Sequence, residues 1–207
     1  MLLSSSKRWW GAACLAVALA CTGAWLLLDQ RLAEQTGLRR QVWLTGDFEG
    51  APFINDVSSG ATLDFLQDDP RLPRRFFSAR WEGSWYVPSS QFVILHVEAD
   101  DYADVWIDGE LRFGRSIAAA RGIRLDAGVH QLRIDFQQYG GTAHLSLRAE
   151  RVGAYPRPLQ AEYLFPDAPA PGIVRLLTVT AWLRTTVAST WALAALAAAF
   201  LVLGRQR

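Results

Sequence analysis

Residues 9–28 carry no charged side chain, and no other feature limits this chain as much. A helix rises about 1.5 Å per residue, so such a run extends about 30 Å, the thickness of a bilayer core. Lys7 and Arg8 precede it, and Trp9, Trp10 and Trp25 stand toward its ends. Basic residues tend to stay cytoplasmic and tryptophans favour the membrane interfaces. The expected arrangement is a cytoplasmic segment at 1–8, a transmembrane helix at 9–28, and export of the chain beyond Asp29. Two rival readings export it equally well. One is a signal peptide cleaved after Ala18-Leu19-Ala20; the other is a lipid attached to Cys21. The apolar run continues through Trp25-Leu26-Leu27-Leu28, past the cleavage point, which favours a retained anchor.

A second uncharged run, rich in Ala and Leu, occupies 187–203 and is followed by Arg205 and Arg207. The same logic makes it a second transmembrane helix, with 204–207 cytoplasmic and both termini on one side. The alternative is a buried helix of a soluble domain. Residues 173–186 are apolar apart from a few polar positions and the two arginines Arg175 and Arg184, and read as an interfacial helix or the start of helix 2. Arginine can snorkel at a bilayer edge. Ala192, Ala195 and Ala199 would offer a small face for helix–helix contact.

Between the two runs the chain has a different character. The formal net charge of the 207 residues is only +1, and the middle is mildly acidic, so no basic field points to nucleic acid. Both cysteines, Cys14 and Cys21, lie in the first apolar run. The middle therefore has no disulfide or thiolate metal site and must be held by its core. After a helical stalk expected at 29–40, apolar residues alternate with polar ones. In Gln131-Leu132-Arg133-Ile134-Asp135-Phe136 the apolar side chains share one face, and 143–149 repeats the pattern. Residues 91–98 are apolar on both faces, as in a central strand. Asp108-Gly109 between apolar runs signals a type I′ hairpin. Short strands punctuated in this way predict an antiparallel sandwich, with 167–172, which contains Pro169 and Pro171, as the linker to the second anchor.

The strands and turns of 41–166 resemble the protective-antigen fourteen-kilodalton domain, a lectin-like β-sandwich. Phe77-Ser78-Ala79-Arg80-Trp81-Glu82-Gly83 resembles its F-x-x-R-W-x-G strand. Ala99-Asp100-Asp101 resembles its S-D-D turn, and Val105-Trp106-Ile107-Asp108-Gly109 its L-Y-I-D-G hairpin. Ala127-Gly128-Val129-His130 resembles A-G-x-H, and residues 161–166 its closing A-L-Y-P. Residues 46–53 resemble the opening strand. The resemblance implies a mainly β fold, an antiparallel β-sandwich of jelly-roll type, here flanked by N- and C-terminal transmembrane α-helices.

In glycan-binding members the paired aspartates are joined by a cis peptide and hold calcium, which also contacts sugar hydroxyls. Carried over, Asp100 and Asp101 would be the metal ligands. The sequence departs from the family at Tyr102, which stands where glycine is usual. It also departs in the loop 137–142, which offers Gln137 and Gln138 but no Asn or Asp. The aspartate pair can also serve the turn alone, because Asp readily bonds nearby backbone N–H groups.

Aromatics at Trp81, Trp85, Tyr86, Trp106 and Tyr139 could pack in the core or stack on sugar rings. Trp106 is singled out because it alternates out of phase with Val105 and Ile107. The candidate ligand-binding residues are therefore Asp100, Asp101, Trp106 and Tyr139. His96, His130 and His144 lack metal-ligand spacing, and His130 reads as structural. Arg71, Arg74, Arg75 and Arg80 form a cluster that could face anionic glycan or simply solvent. No catalytic constellation stands out, so no enzyme is expected.

The leading expectation is a bacterial inner-membrane protein with a periplasmic or extracellular domain that binds carbohydrate, assisted by calcium. Its partners would be the lipid bilayer, a glycan and a membrane protein reached through the helices, with no nucleic acid. The alternative is a non-catalytic accessory subunit that docks onto a membrane glycan-assembly or glycosyltransferase complex.

Overall fold

The computed structural model describes residues 5–64, 71–72, 75–114 and 122–203. Residues 1–4 and 204–207, including Arg205 and Arg207, lie outside this description, as does Arg74. The chain forms two units, a helical one from its two ends and a β unit at 35–169.

The helical unit contains α1 (Ser5–Ala33) and α2 (Pro171–Leu203). Covered positions on α1 include Cys14, Ala18, Cys21, Trp25, Leu28 and Leu32. They alternate four and three residues apart, the spacing that keeps one seam against a neighbouring helix. On α2 the covered Thr180, Leu183, Val187, Thr190, Ala194 and Ala197 follow the same rule. The Trp191 indole N–H donates to Thr22 Oγ1 at 3.0 Å. Ala192, Ala195 and Ala199, the small face expected to meet a membrane partner, are exposed on α2. Among the described residues only Ala12–Ala33 is long and apolar enough to cross a membrane, with a mean hydropathy of 1.9. A segment of that kind near an N-terminus fits a span and a signal sequence alike. In α2, Arg175 and Arg184 both lie before the uncharged run at 187–203. The interfacial helix expected at 173–186 and the span at 187–203 are one continuous helix.

Among the described residues the β unit has twelve strands. They are β1 (Leu38–Trp43), β2 (Ile54–Ser58), β3 (Leu63–Asp64), β4 (Phe77–Val87), β5 (Gln91–Asp100) and β6 (Tyr102–Ile107). After these come β7 (Glu110–Phe113), β8 (Gly122–Leu125), β9 (Gly128–Gln138), β10 (His144–Arg151), β11 (Arg157–Pro158) and β12 (Leu164–Phe165). One sheet runs in the order β2-β1-β4-β9-β6-β7, with β12 also pairing β4; the other runs β11-β10-β5-β8, with β3 pairing β10. Every pairing is antiparallel. Phe77, Trp81, Ile134 and Phe136 from the first sheet and Val93, Leu95, Leu145 and Leu147 from the second belong to one buried core.

Each fixed position of the F-x-x-R-W-x-G strand has a physical task. Phe77 and Trp81 are fully buried in the core. Arg80 points the other way and makes a two-pronged ion pair with Asp135 on β9, at 2.6 and 2.7 Å. Gly83 is needed because β12 crosses it: a Cβ there would stand 2.2 Å from the Phe165 carbonyl oxygen and 2.8 Å from Leu38. Gly83→Ala is expected to cost about 3 kcal/mol, the upper range for forced overpacking, read as a lower urea midpoint of the full chain. The Asp108-Gly109 turn has φ of 53° and 77°, the two positive values of a type I′ hairpin.

Three boundaries differ from the sequence reading. The stalk expected at 29–40 does not exist as such: α1 continues to Ala33 and Leu38–Arg40 are already strand. Residues 46–53 are a loop, and the opening strand is β1. Finally, β5 is buried on one face only. Phe92 is 48% exposed and covers Gly122, where a Cβ would meet its ring at 1.9 Å. A strand central in its sheet can still have a wet face when nothing packs beyond it.

Candidate functional site

The site forms where β5 ends and β6 begins. Asp100 closes β5, Tyr102 opens β6, and the Asp100–Asp101 peptide bond is cis, as the resemblance implies. Asp101 reaches across to the loop after β9, where its Oδ2 accepts the backbone N–H of Tyr139 at 2.7 Å and of Gly140 at 3.1 Å. The Tyr139 N–H bond is the main cause that holds the Asp101 carboxyl below its usual range; desolvation opposes it, and the Gly140 N–H and Asp100 bonds add to the lowering.

The same loop carries aromatic rings into place. Tyr139 and Tyr102 meet edge to face, with centroids 6.0 Å apart, and both rings are substantially exposed. Gly46 backs Tyr139: a Cβ there would lie 2.9 Å from its ring, and the Gln137 amide donates to the Gly46 carbonyl. Thus Tyr102, the residue that departs from the family turn, forms an aromatic wall with Tyr139. An open groove beside the pair is lined by Glu98, Asp100, Asp101, Tyr102, Phe113 and His144.

Of the sequence candidates, Asp100, Asp101 and Tyr139 come together. Trp106 does not join them. It lies toward the far end of β6, in a separate groove with Glu82, Gln131 and Asp167, and the Arg133 guanidinium stacks 4.2 Å above its ring. Tyr102 and Gly46 were missed by the sequence reading, and the unusual residue after the aspartates was the available signal for Tyr102.

The arginine cluster is dispersed. Arg71 pairs with Asp56 at 3.0 Å and Arg80 with Asp135. His96 bonds Glu150 at 2.7 Å. His130 locks a hairpin, with Nδ1 bonded to Asp108 Oδ2 at 2.7 Å and Nε2 to the Asp126 carbonyl at 2.8 Å. Asp108 is more than a turn residue, because its other oxygen accepts the Gln131 N–H at 2.8 Å.

Burial alone would lower the His130 pKa, but the bonds to Asp108 and Asp126 and their charges raise it above the usual 6.5. Both ring nitrogens face acceptors, which is the pattern of an imidazolium. A raised folded pKa stabilises fully below the unfolded value, and the effect is lost as pH rises through the folded one. The melting temperature of the full chain should therefore fall as pH rises from the ordinary histidine value of 6.5 through the higher folded one. In His130→Asn that fall should be smaller; an equal fall would remove His130 as its cause.

Calcium takes about six to eight oxygen ligands. Asp100 and the second oxygen of Asp101 are of the right kind, and the buried Gln138 Oε1 has no hydrogen-bond partner among the described residues. No group of three or more His, Cys, Asp or Glu side chains placed to hold a metal is found among the described residues. The two carboxylates alone fall well short of a calcium shell, and the balance would have to come from amide or backbone carbonyls, water or a ligand's hydroxyls.

No family model matches the chain, and no curated protein matches it. Solved structures do. An anti-sigma factor domain-containing protein from Clostridium clariflavum is 21% identical over 64% of this chain and 48% of its own, with a TM-score of 0.56. This chain thus spans about half of that protein. The PA14 domain of the MpAFP antifreeze protein is 12% identical over 65% of this chain and 93% of its own, with a TM-score of 0.52. The epithelial adhesin 6 A domain from Candida glabrata, solved in complex with Galβ1-3GlcNAc, is 12% identical over 67% of this chain and 90% of its own, with a TM-score of 0.51. At such identities the likeness is one of fold. The unit at 35–169 has a PA14-like β-sandwich fold.

Proposed function

We propose that the chain is a non-enzymatic carbohydrate-binding module tethered to a membrane, which binds at the Asp100–Asp101 end of the sandwich. One observation carries this reading: beside the exposed Asp100, the Asp101 carboxylate is fixed by two backbone N–H bonds next to an exposed aromatic pair. Sugars present hydroxyl donors on their edges and C–H groups on their faces. Carboxylates accept the first in charge-assisted bonds, and the electron-rich faces of Tyr102 and Tyr139 meet the second. A rigid site binds better because little ordering remains to be done. The fold shared with an adhesin domain solved with a disaccharide supports the same reading.

Calcium, when bound, would screen the two adjacent carboxylates and offer coordination positions to sugar hydroxyls. Asp100 and Asp101 would hold it, with Gln138 as a third oxygen donor.

Membrane tethering is supported by the apolar span Ala12–Ala33 and by exposed Leu15, Val17, Leu19, Leu26 and Leu27 along α1, a surface that suits lipid. The basic Lys7 and Arg8 favour a cytoplasmic N-terminus and an exported domain. The exposed face of α2, with Trp182, Leu193 and Leu196, suits lipid or a membrane partner. It is the feature that favours the accessory-subunit reading.

A glycan array probed with the full chain in detergent, with millimolar calcium or a chelator, tests the proposal. Selective binding to one glycan class, lost in Tyr139→Ala, is the expected result. A blank array, with the intact chain co-purifying with a membrane partner, would replace this reading by the accessory one.

A further inference from the structure

A second concave site lies at the opposite end of the sandwich. Along β10, His144 pairs with Asp100 while Arg151 pairs with Val93, so the strand separates the two ends by roughly 23 Å. At the far end the chain turns back on itself: Ala154 N–H donates to the Arg151 carbonyl at 2.9 Å, and Gly153 has a φ of 78°. The returning segment, which includes β11, walls a cavity of about 240 Å³ lined by Trp85, Arg151, Tyr155, Arg157, Leu159 and Tyr163, among others.

Its electrostatics set it apart. The guanidiniums of Arg39, Arg40, Arg80 and Arg133 are all paired with carboxylates. Those of Arg151 and Arg157 make no ion pair or hydrogen bond among the described residues, and both residues are exposed. No carboxylate lines this cavity among the described residues. Two uncompensated guanidiniums at one concavity attract an anion, and their planar donors match the oxygens of phosphate or carboxylate. The remaining wall is aromatic. Trp85 is nearly buried, whereas Tyr155 is 87% exposed at the mouth. Tyr163 is held by a tilted ring contact with Tyr86, with centroids 6.4 Å apart.

We propose that this cavity binds an anionic ligand, a phosphate or carboxylate carried on a sugar-like ring, with Arg151 and Arg157 holding the anion and Tyr155 covering the ring. The chemistry is shared by a soluble sugar phosphate or acidic sugar and by an anionic lipid headgroup. The proposal is independent of the Asp100–Asp101 site.

The test uses the full chain in phosphatidylcholine nanodiscs, titrated calorimetrically with glucose 1-phosphate, glucuronate and glucose. The anions should bind at least tenfold more tightly than glucose. The double variant R151Q/R157Q, whose changes fall on exposed side chains and should leave the melting temperature unaltered, should lose that preference, while R124Q should retain it. Replacing phosphatidylcholine with phosphatidylglycerol then separates the sources. Loss of soluble-anion binding marks a headgroup in the cavity, and unchanged binding marks a soluble ligand; both support the proposal. Equal affinity for glucose and glucuronate, undiminished binding by R151Q/R157Q, or no binding of either anion in phosphatidylcholine would overturn it.

Discussion

Asp135→Ala is expected to cost the β unit about 3–5 kcal/mol, the usual loss when one partner of a buried ion pair is removed. Its carboxylate is only 9% exposed and takes two bonds from Arg80 and two from Arg133, at 2.9 and 3.3 Å. Arg80 is in turn held over the rings of Phe48 and Trp43, 4.9 and 5.9 Å from their centroids. Without Asp135 the Arg80 guanidinium stays against those rings, three-quarters covered, with only the more exposed Glu82 at 4.0 Å as a counter-ion. Arginine is effectively always protonated, so Arg80 cannot shed its charge to escape. A drop of about 10–20 °C in the melting temperature of the full chain is the corresponding reading. The double variant Arg80→Met with Asp135→Leu should recover most of it, since an apolar pair of similar volume often substitutes for a buried salt bridge. A single-variant loss below about 1 kcal/mol would mean that the pair behaves as a surface bridge.

The second large effect falls on binding. Asp101→Ala removes the acceptor that fixes Tyr139 and Gly140, so it should abolish glycan binding, with at least a hundredfold loss of affinity, about 2.7 kcal/mol. Asp101→Asn keeps an oxygen acceptor for those two N–H groups but removes the charge. It should preserve the loop and a residual affinity while losing any calcium dependence. Binding curves for the three proteins with and without calcium separate these roles. If Asp101→Ala bound as well as the parent, the Asp100–Asp101 end would not be the sugar site. The lowered Asp101 pKa adds a sign: its stabilising contribution is complete above the unfolded value of 3.8 and is lost only as pH falls through the still lower folded value. The loop should therefore stay ordered at mildly acidic pH.

What the sequence revealed and what it hid divide along a physical line. Alternation, the Asp108-Gly109 turn and the apolar ends are local patterns, and they led to a two-sheet sandwich with a helix at each end. Gly83 was legible as part of a motif, but its reason, a strand that passes over it from Phe165, was not. Arg80 read as one member of a loop cluster because its partner lies on another strand; pairing set by sheet register leaves no mark in nearby residues. Residues 46–53 read as a strand because they resemble the family's opening Y-x-x-x-x-F-x-G strand. In fact Phe48 has a φ of 64°, and its N–H bonds the Ser78 hydroxyl at 3.0 Å, which no alternation rule anticipates. Trp106 was picked because it alternates out of phase with Val105 and Ile107, although the length of β6 carries it to another groove. Tyr102 was noticed as a departure, yet its pairing with Tyr139 depends on a loop from β9.

The two ends of the β unit are clasped together. The Gly37 N–H donates to the Leu164 carbonyl at 2.7 Å, Arg39 meets Asp167 at 3.0 Å, and β1 and β12 both pair with β4. Entry and exit therefore share one spot, as is common in modules that tolerate insertion into other chains. Such a unit behaves as a cassette. It can be spliced into a surface loop of an unrelated host without stretching either junction, and tension applied to its two ends loads a short zipper of backbone bonds while the packed interior carries none.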